Sequence, residues 1–91
     1  MNNQIMRFSI YRYEDDQDTI YLADVFVGPD IRGKGRGNEI LKTADGIAKI
    51  MGAKSICLKV KKDSIARGWY ERHGYKKIED ARQFVWMKKE I

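Results

Sequence analysis

Five short strand patterns interrupted by two helical ones predict a single domain over residues 1–91, an α+β (mixed α/β) fold of order β-β-α-β-α-β-β with a mixed sheet. Three observations point there. Apolar residues alternate over residues 5–13, the period of a half-buried strand. From Ile40 the spacing changes to that of a helix, after a turn rich in glycine. A third run, Ser55 to Val60, sits between two helical stretches, and a strand–helix–strand unit demands parallel pairing.

In the first strand Met6, Phe8, Ile10 and the stem of Arg12 share one face, with Arg7, Ser9, Tyr11 and Tyr13 on the other. Glu14 to Asp18 is a polar turn, and Thr19 to Val27, rich in β-branched and aromatic residues, returns as the hairpin partner. Gly28-Pro29-Asp30 ends that strand. Ile40, Ala44, Ile47, Ala48 and Met51 then recur at helical spacing, with Lys42, Asp45 and Lys49 opposite, up to Gly52. In the third strand Ile56, Leu58 and Val60 share a face. Asp63 or Ser64 can cap a second helix that runs to about His73, where Gly74 stops it. On its surface Ala66 and Tyr70 share a face, and Ile65 and Trp69 form a neighbouring apolar stripe. Tyr75 to Ile78 and Gln83 to Met87 make a last hairpin around Glu79–Arg82.

Composition excludes several classes. One cysteine, Cys57, and one histidine, His73, leave no disulfide framework and no soft-ligand metal site, so no metal is expected. There is no apolar run long enough for a membrane span and no basic-then-apolar start, so a cytoplasmic protein is expected. Cys57 reads as core and His73 as a helix-end cap. The net charge of +5 is uneven: residues 1–31 hold 2 basic and 6 acidic side chains, residues 32–91 hold 16 and 7. That excess suggests an anionic partner for the later part, a nucleic acid or a phosphorylated small molecule.

The sharpest local signal is Arg32-Gly33-Lys34-Gly35-Arg36-Gly37, between a strand and an amphipathic helix. Glycines allow close approach, main-chain N–H groups converge at the positive end of a helix, and the basic side chains add charge, which is the chemistry of phosphate binding. Two better-known phosphate motifs fail here. A P-loop would need Ser or Thr where Gly35 stands, and a dinucleotide turn counted from Gly33 would need glycine at Asn38. In the second helix, Tyr70 can either donate a proton to a leaving group such as a thiolate or serve as a core-edge aromatic with a wet hydroxyl.

Together these elements resemble the GNAT family of N-acetyltransferases. The family pattern Gln/Arg-x-x-Gly-x-Gly/Ala after Val-x-Pro is met by Val27-Gly28-Pro29 and Arg32-Gly33-Lys34-Gly35-Arg36-Gly37. A later pattern, Asn-x-x-Ala-x-x-hydrophobic-Tyr followed by Gly-Phe/Tyr, is met by Asp63, Ala66, Trp69, Tyr70, Gly74 and Tyr75, with Asp63 in place of Asn. The match covers a cofactor-binding core of about residues 21–91. It implies a truncated acyl-CoA N-acyltransferase (GNAT) fold and acetyl-CoA as co-substrate. It implies that main-chain groups of Val25, Phe26 and Val27 hold the pantetheine arm as a short added strand. Arg32, Gly33, Lys34, Gly35, Arg36, Gly37 and Asn38 would wrap the pyrophosphate, and Asp63 would stand near the cofactor arm. Tyr70 would protonate the departing thiolate. Asp24 is the candidate base, possible also as a plain hydrogen-bonding strand residue.

Compared with the family the chain is short, lacking the first strand and two helices that usually wall the acceptor pocket. That openness suits a bulky amine acceptor such as a protein lysine, with a small-molecule amine as the other acceptor class, and a second copy of the chain (a homodimer) is another way to complete the wall. A non-enzymatic module that binds CoA or nucleic acid is the alternative. Nucleic acid is disfavoured, because basic residues are not clearly interleaved with exposed aromatics along one strand face.

Overall fold

Alternation in the chain becomes a five-stranded mixed sheet in the order β1-β2-β3-β5-β4. The structure, a computed structural model, describes residues 6–27 and 36–91. Its elements are β1 (Met6–Tyr11), β2 (Thr19–Val27), α1 (Arg36–Ile50), β3 (Ser55–Lys61), α2 (Ile65–Arg72), β4 (Lys76–Ala81) and β5 (Phe84–Glu90). The β2–β3 pair is parallel and the other three are antiparallel, as the strand–helix–strand unit requires.

Both crossovers step in the same direction along the sheet, so right-handed connections put both helices on one face. That face holds the core. Ile20, Leu22, Ile56, Leu58, Val60, Val85 and Met87 from the strands pack with Leu41, Ala44 and Ala48 of α1 and Tyr70 of α2. Burial of each large aliphatic chain contributes about 1.5–3 kcal/mol. Each helix is closed by a glycine at positive φ, Gly52 at 78° and Gly74 at 96°. At α1 the Ala53 N–H reaches the Ala48 carbonyl and the Gly52 N–H that of Lys49; at α2 the Tyr75 N–H reaches the Tyr70 carbonyl and the Gly74 N–H that of Glu71, in each case the paired bonds of a Schellman end. Ser64, one of the two expected caps, accepts from the Ala66 N–H at 3.1 Å.

Several expectations are corrected. The last hairpin is longer: Ala81 pairs directly with Phe84 around a two-residue turn, with Arg82 at φ 59°, so Glu79 to Ala81 belong to β4. Asp45 does not face solvent. It is half-buried and its Oδ2 accepts from Lys89 Nζ of β5 at 2.8 Å. Ile65 is 92% exposed, because α2 turns Ala66, Trp69 and Tyr70 inward instead. β1 stops at Tyr11, and the Arg12 guanidinium leaves the strand to donate to the Met51 carbonyl. Cys57 is buried, but it lies on the sheet face away from the helices.

No helix covers that second face among the described residues. By alternation it carries Arg7 and Tyr11 of β1, Tyr21 of β2, Cys57, Lys59 and Lys61 of β3, and Phe84 and Trp86 of β5.

Candidate functional site

Parallel strands β2 and β3 pair over only three positions, Thr19–Ser55, Ile20–Ile56 and Tyr21–Cys57. β2 continues to Val27 and β3 to Lys61 with no pairing between them. Main-chain donors and acceptors of β2 beyond Leu22 are therefore left facing a wedge, and they need partners there. The cause is visible on the other edge of β2. Arg7 pairs with Phe26 but Ser9 pairs with Ala23, so Asp24 and Val25 together oppose Phe8. This bulge strengthens the local twist and bends β2. Asp24 supplies the unusual backbone, φ 56°, a left-handed conformation that Asp tolerates better than most residues. Val25 turns into the core, while Asp24 stays exposed with the Tyr11 hydroxyl donating to its Oδ2 at 3.5 Å. Val25, Phe26 and Val27 all lie beyond the last β2–β3 pair.

Tyr70 reaches the core beneath β3 from α2, and its position is held twice over. Its carbonyl takes the Schellman bond from Tyr75, and the two rings meet edge-on at 5.7 Å. The Trp69 ring lies tilted against it at 4.9 Å. Tyr70 is 7% exposed, and burial pushes its phenol above the usual tyrosine value, so it keeps its proton through neutral pH. Tyr75 is raised further, by burial and by the negative charge of Asp45. Burial also raises the Cys57 thiol.

Of the glycine-rich turn, Arg32, Gly33, Lys34 and Gly35 lie outside the described residues. Arg36 begins α1. Gly37 and Asn38 follow in its first turn and carry a role that sequence reasoning missed. A Cβ on Gly37 would come within 2.7 Å of Cζ2 of Trp69. Asn38 Oδ1 accepts from Trp69 Nε1 at 3.4 Å. These two residues thus dock α2 onto the N-terminus of α1. No local pattern could have signalled this, because Trp69 is 31 positions from Asn38. Asp63 is exposed in the turn before α2. His73 ends α2, with its Nδ1–H donating to the Trp69 carbonyl at 2.8 Å.

Residues 1–77 match the family described as acetyltransferase (GNAT) domain. Solved structures with the same fold include the PaiA N-acetyltransferase of Thermoplasma acidophilum in complex with coenzyme A (23% identity, TM-score 0.77, 81% of this chain and 47% of that one). A nourseothricin acetyltransferase is similar at 21% identity and TM-score 0.82, over 91% of this chain and 55% of that one. A GNAT family acetyltransferase of Elizabethkingia anophelis with acetyl-CoA bound aligns over 100% of this chain and 72% of that one, at 16% identity and TM-score 0.81. The chain thus spans about half the length of the first and second of these. No curated protein sequence matches it significantly.

Proposed function

The chain belongs to the GNAT acetyltransferase family, and from that premise we propose that it moves an acetyl group from acetyl-CoA directly to a primary amine. The observation that carries the reading is the wedge between β2 and β3, where a bulged strand inside the family match keeps unpaired main-chain groups. A pantetheine arm, itself built of amides, is the kind of ligand that can pair with such a strand edge. Val25, Phe26 and Val27 hold the arm. Residues 32–38 meet the pyrophosphate at the positive end of α1. Asp63 stands at the turn before α2, on the cofactor side.

Asp24 and Tyr70 divide the proton chemistry. The acceptor's ammonium first loses a proton to Asp24 through a water, which passes it to solvent, and the nitrogen sheds its second proton by the same route once it is bonded to the carbonyl carbon. The amine nitrogen forms the new bond to the carbonyl carbon, main-chain N–H groups stabilise the oxygen that gains charge, and the C–S bond breaks with its electron pair on sulfur. Tyr70 gives its proton to that sulfur and regains one from water. Burial suits Tyr70 to this, because it holds the proton until a strong base appears beside it.

The acceptor comes to the sheet face that carries Asp24. A small molecule gains affinity from a concavity that buries most of its surface. A lysine presented by another protein brings its own surface, so a protein lysine fits this unwalled face better than a free small amine.

Isothermal titration with acetyl-CoA, followed by mass spectrometry of peptide and small-amine acceptors, tests the reading. One equivalent of acetyl-CoA should bind, and lysine peptides should gain one acetyl mass. Absence of binding at hundreds of micromolar removes the proposal.

A further inference from the structure

The open face of the sheet has its charges sorted by height. Where β2 and β3 begin, the turn brings Glu14, Asp15, Asp16 and Asp18, and β5 ends there on Glu90. Lys54 and Lys88 offset part of this, at 4.0 Å from Asp18 and 3.7 Å from Glu90, as does the exposed Lys76, which pairs with Lys88. At the opposite end stand Arg7, Lys59, Lys61 and Arg82, all exposed, outnumbering the two acids of that half, Asp24 beside Tyr11 and Glu79 beside Trp86. Arg7 lies over the Phe26 ring at 4.7 Å, and Lys59 over the Phe84 ring at 5.0 Å.

Between the two ends is an aromatic band. Tyr13 meets Tyr21 edge-on at 5.1 Å, and Tyr21 meets Trp86 at 6.2 Å. Tyr11 is 52% and Tyr13 59% exposed, large apolar area for a face turned to water. Aromatic and basic side chains thus alternate across neighbouring strands here, although they do not along any single strand.

A uniformly charged partner fits half of this surface. A nucleic acid would meet the carboxylates of the turn, and a basic protein would meet Lys59, Lys61 and Arg82. The same face turned end for end satisfies both halves, acid against base at each end with the aromatic bands between, which is the self-complementarity of a two-fold interface. We propose that the open sheet face binds a second copy of this chain, turned end for end about a two-fold axis lying in the interface. The two sheets stack with their inner side chains interdigitated, as in a sandwich. The dimer covers the face to which the proposed function brings the acceptor, since Asp24 is bonded to Tyr11 there, so a second copy and the acceptor compete for it; self-association is read without acetyl-CoA or acceptor.

Sedimentation of the intact chain across the micromolar range tests it, with two charge-reversed variants. One carries Glu14→Lys, Asp15→Lys and Glu90→Lys; the other carries Arg7→Glu, Lys59→Glu and Lys61→Glu. The unaltered chain should dimerise, less so as salt rises. Each variant alone should lose at least about tenfold in dimer affinity. An equimolar mixture should recover it as a heterodimer, because each end then meets its opposite again. Circular dichroism verifies that each variant is folded, and the milder pair Lys59→Gln and Lys61→Gln replaces any that is not. A chain that stays monomeric at all concentrations overturns the proposal. So does a dimer indifferent to both reversals, or a monomer that instead binds a single-stranded oligonucleotide on this face.

Discussion

Gly37 and Gly46 lie in the same helix, and their replacement by alanine should act in opposite directions. At Gly37 the new methyl group meets the Trp69 ring at 2.7 Å, so α2 must shift, at a cost of about 1–3 kcal/mol. At Gly46 nothing lies within 4 Å, and the gain in helix propensity should stabilise the fold by about 0.5–1 kcal/mol. Urea unfolding of the two variants checks both signs. Tyr70→Phe keeps the ring contacts with Trp69 and Tyr75 and removes the proton. Turnover should fall by about 10²–10⁴ with little change in the affinity for acetyl-CoA; unchanged kcat at saturating acceptor would exclude Tyr70 as the acid. Residue-scale placement was legible where it rests on spacing, as for Tyr70, which shares a face with Ala66 and turns inward ahead of Gly74. The inward turn of Asp45 was not, because its partner Lys89 is 44 positions away.

Element boundaries followed the same rule. β2 spans Thr19–Val27 as its β-branched and aromatic run predicts, and both helices end at their glycines. The final hairpin was misjudged because Glu79-Asp80-Ala81-Arg82 is polar, and polar residues resemble a loop when a strand lies at a sheet edge. An irregularity between Lys77 and Glu79 also breaks the alternation that would have marked the strand. β4 can be this polar because it is an edge strand, where charge discourages further pairing. The bulge in β2 was invisible too, since an alternation count has no place for one extra residue. α2 is only eight residues long, too short to stand without its ends. Ser64→Ala removes its N-terminal cap and should cost about 1 kcal/mol, read as a lower urea midpoint.

For the molecule as a whole, buried acids set the alkaline limit. Cys57, Tyr70 and Tyr75 hold their protons more tightly in the fold than at their ordinary values of 9.0, 10.0 and 10.0. In the unfolded chain they titrate at those values, so above about pH 9 the unfolded state releases protons that the folded state keeps. That stabilisation is full below pH 9 and is lost as pH rises, so urea midpoints should drop steadily between about pH 9 and pH 11. A flat profile would show that the three groups titrate as free side chains. The two-faced character of the sheet escapes sequence reading for a plain reason: Tyr13, Tyr21 and Trp86 become neighbours only after strands from both ends of the chain are laid side by side. The clamp between Trp69 and the start of α1 has a practical use. Trp86 stands on the other side of the sheet, so a chain carrying Trp86→Phe keeps a single indole, seated on Gly37 and bonded to Asn38. Its fluorescence would report any tug on that helix end, a built-in optical gauge for whatever settles into the glycine turn.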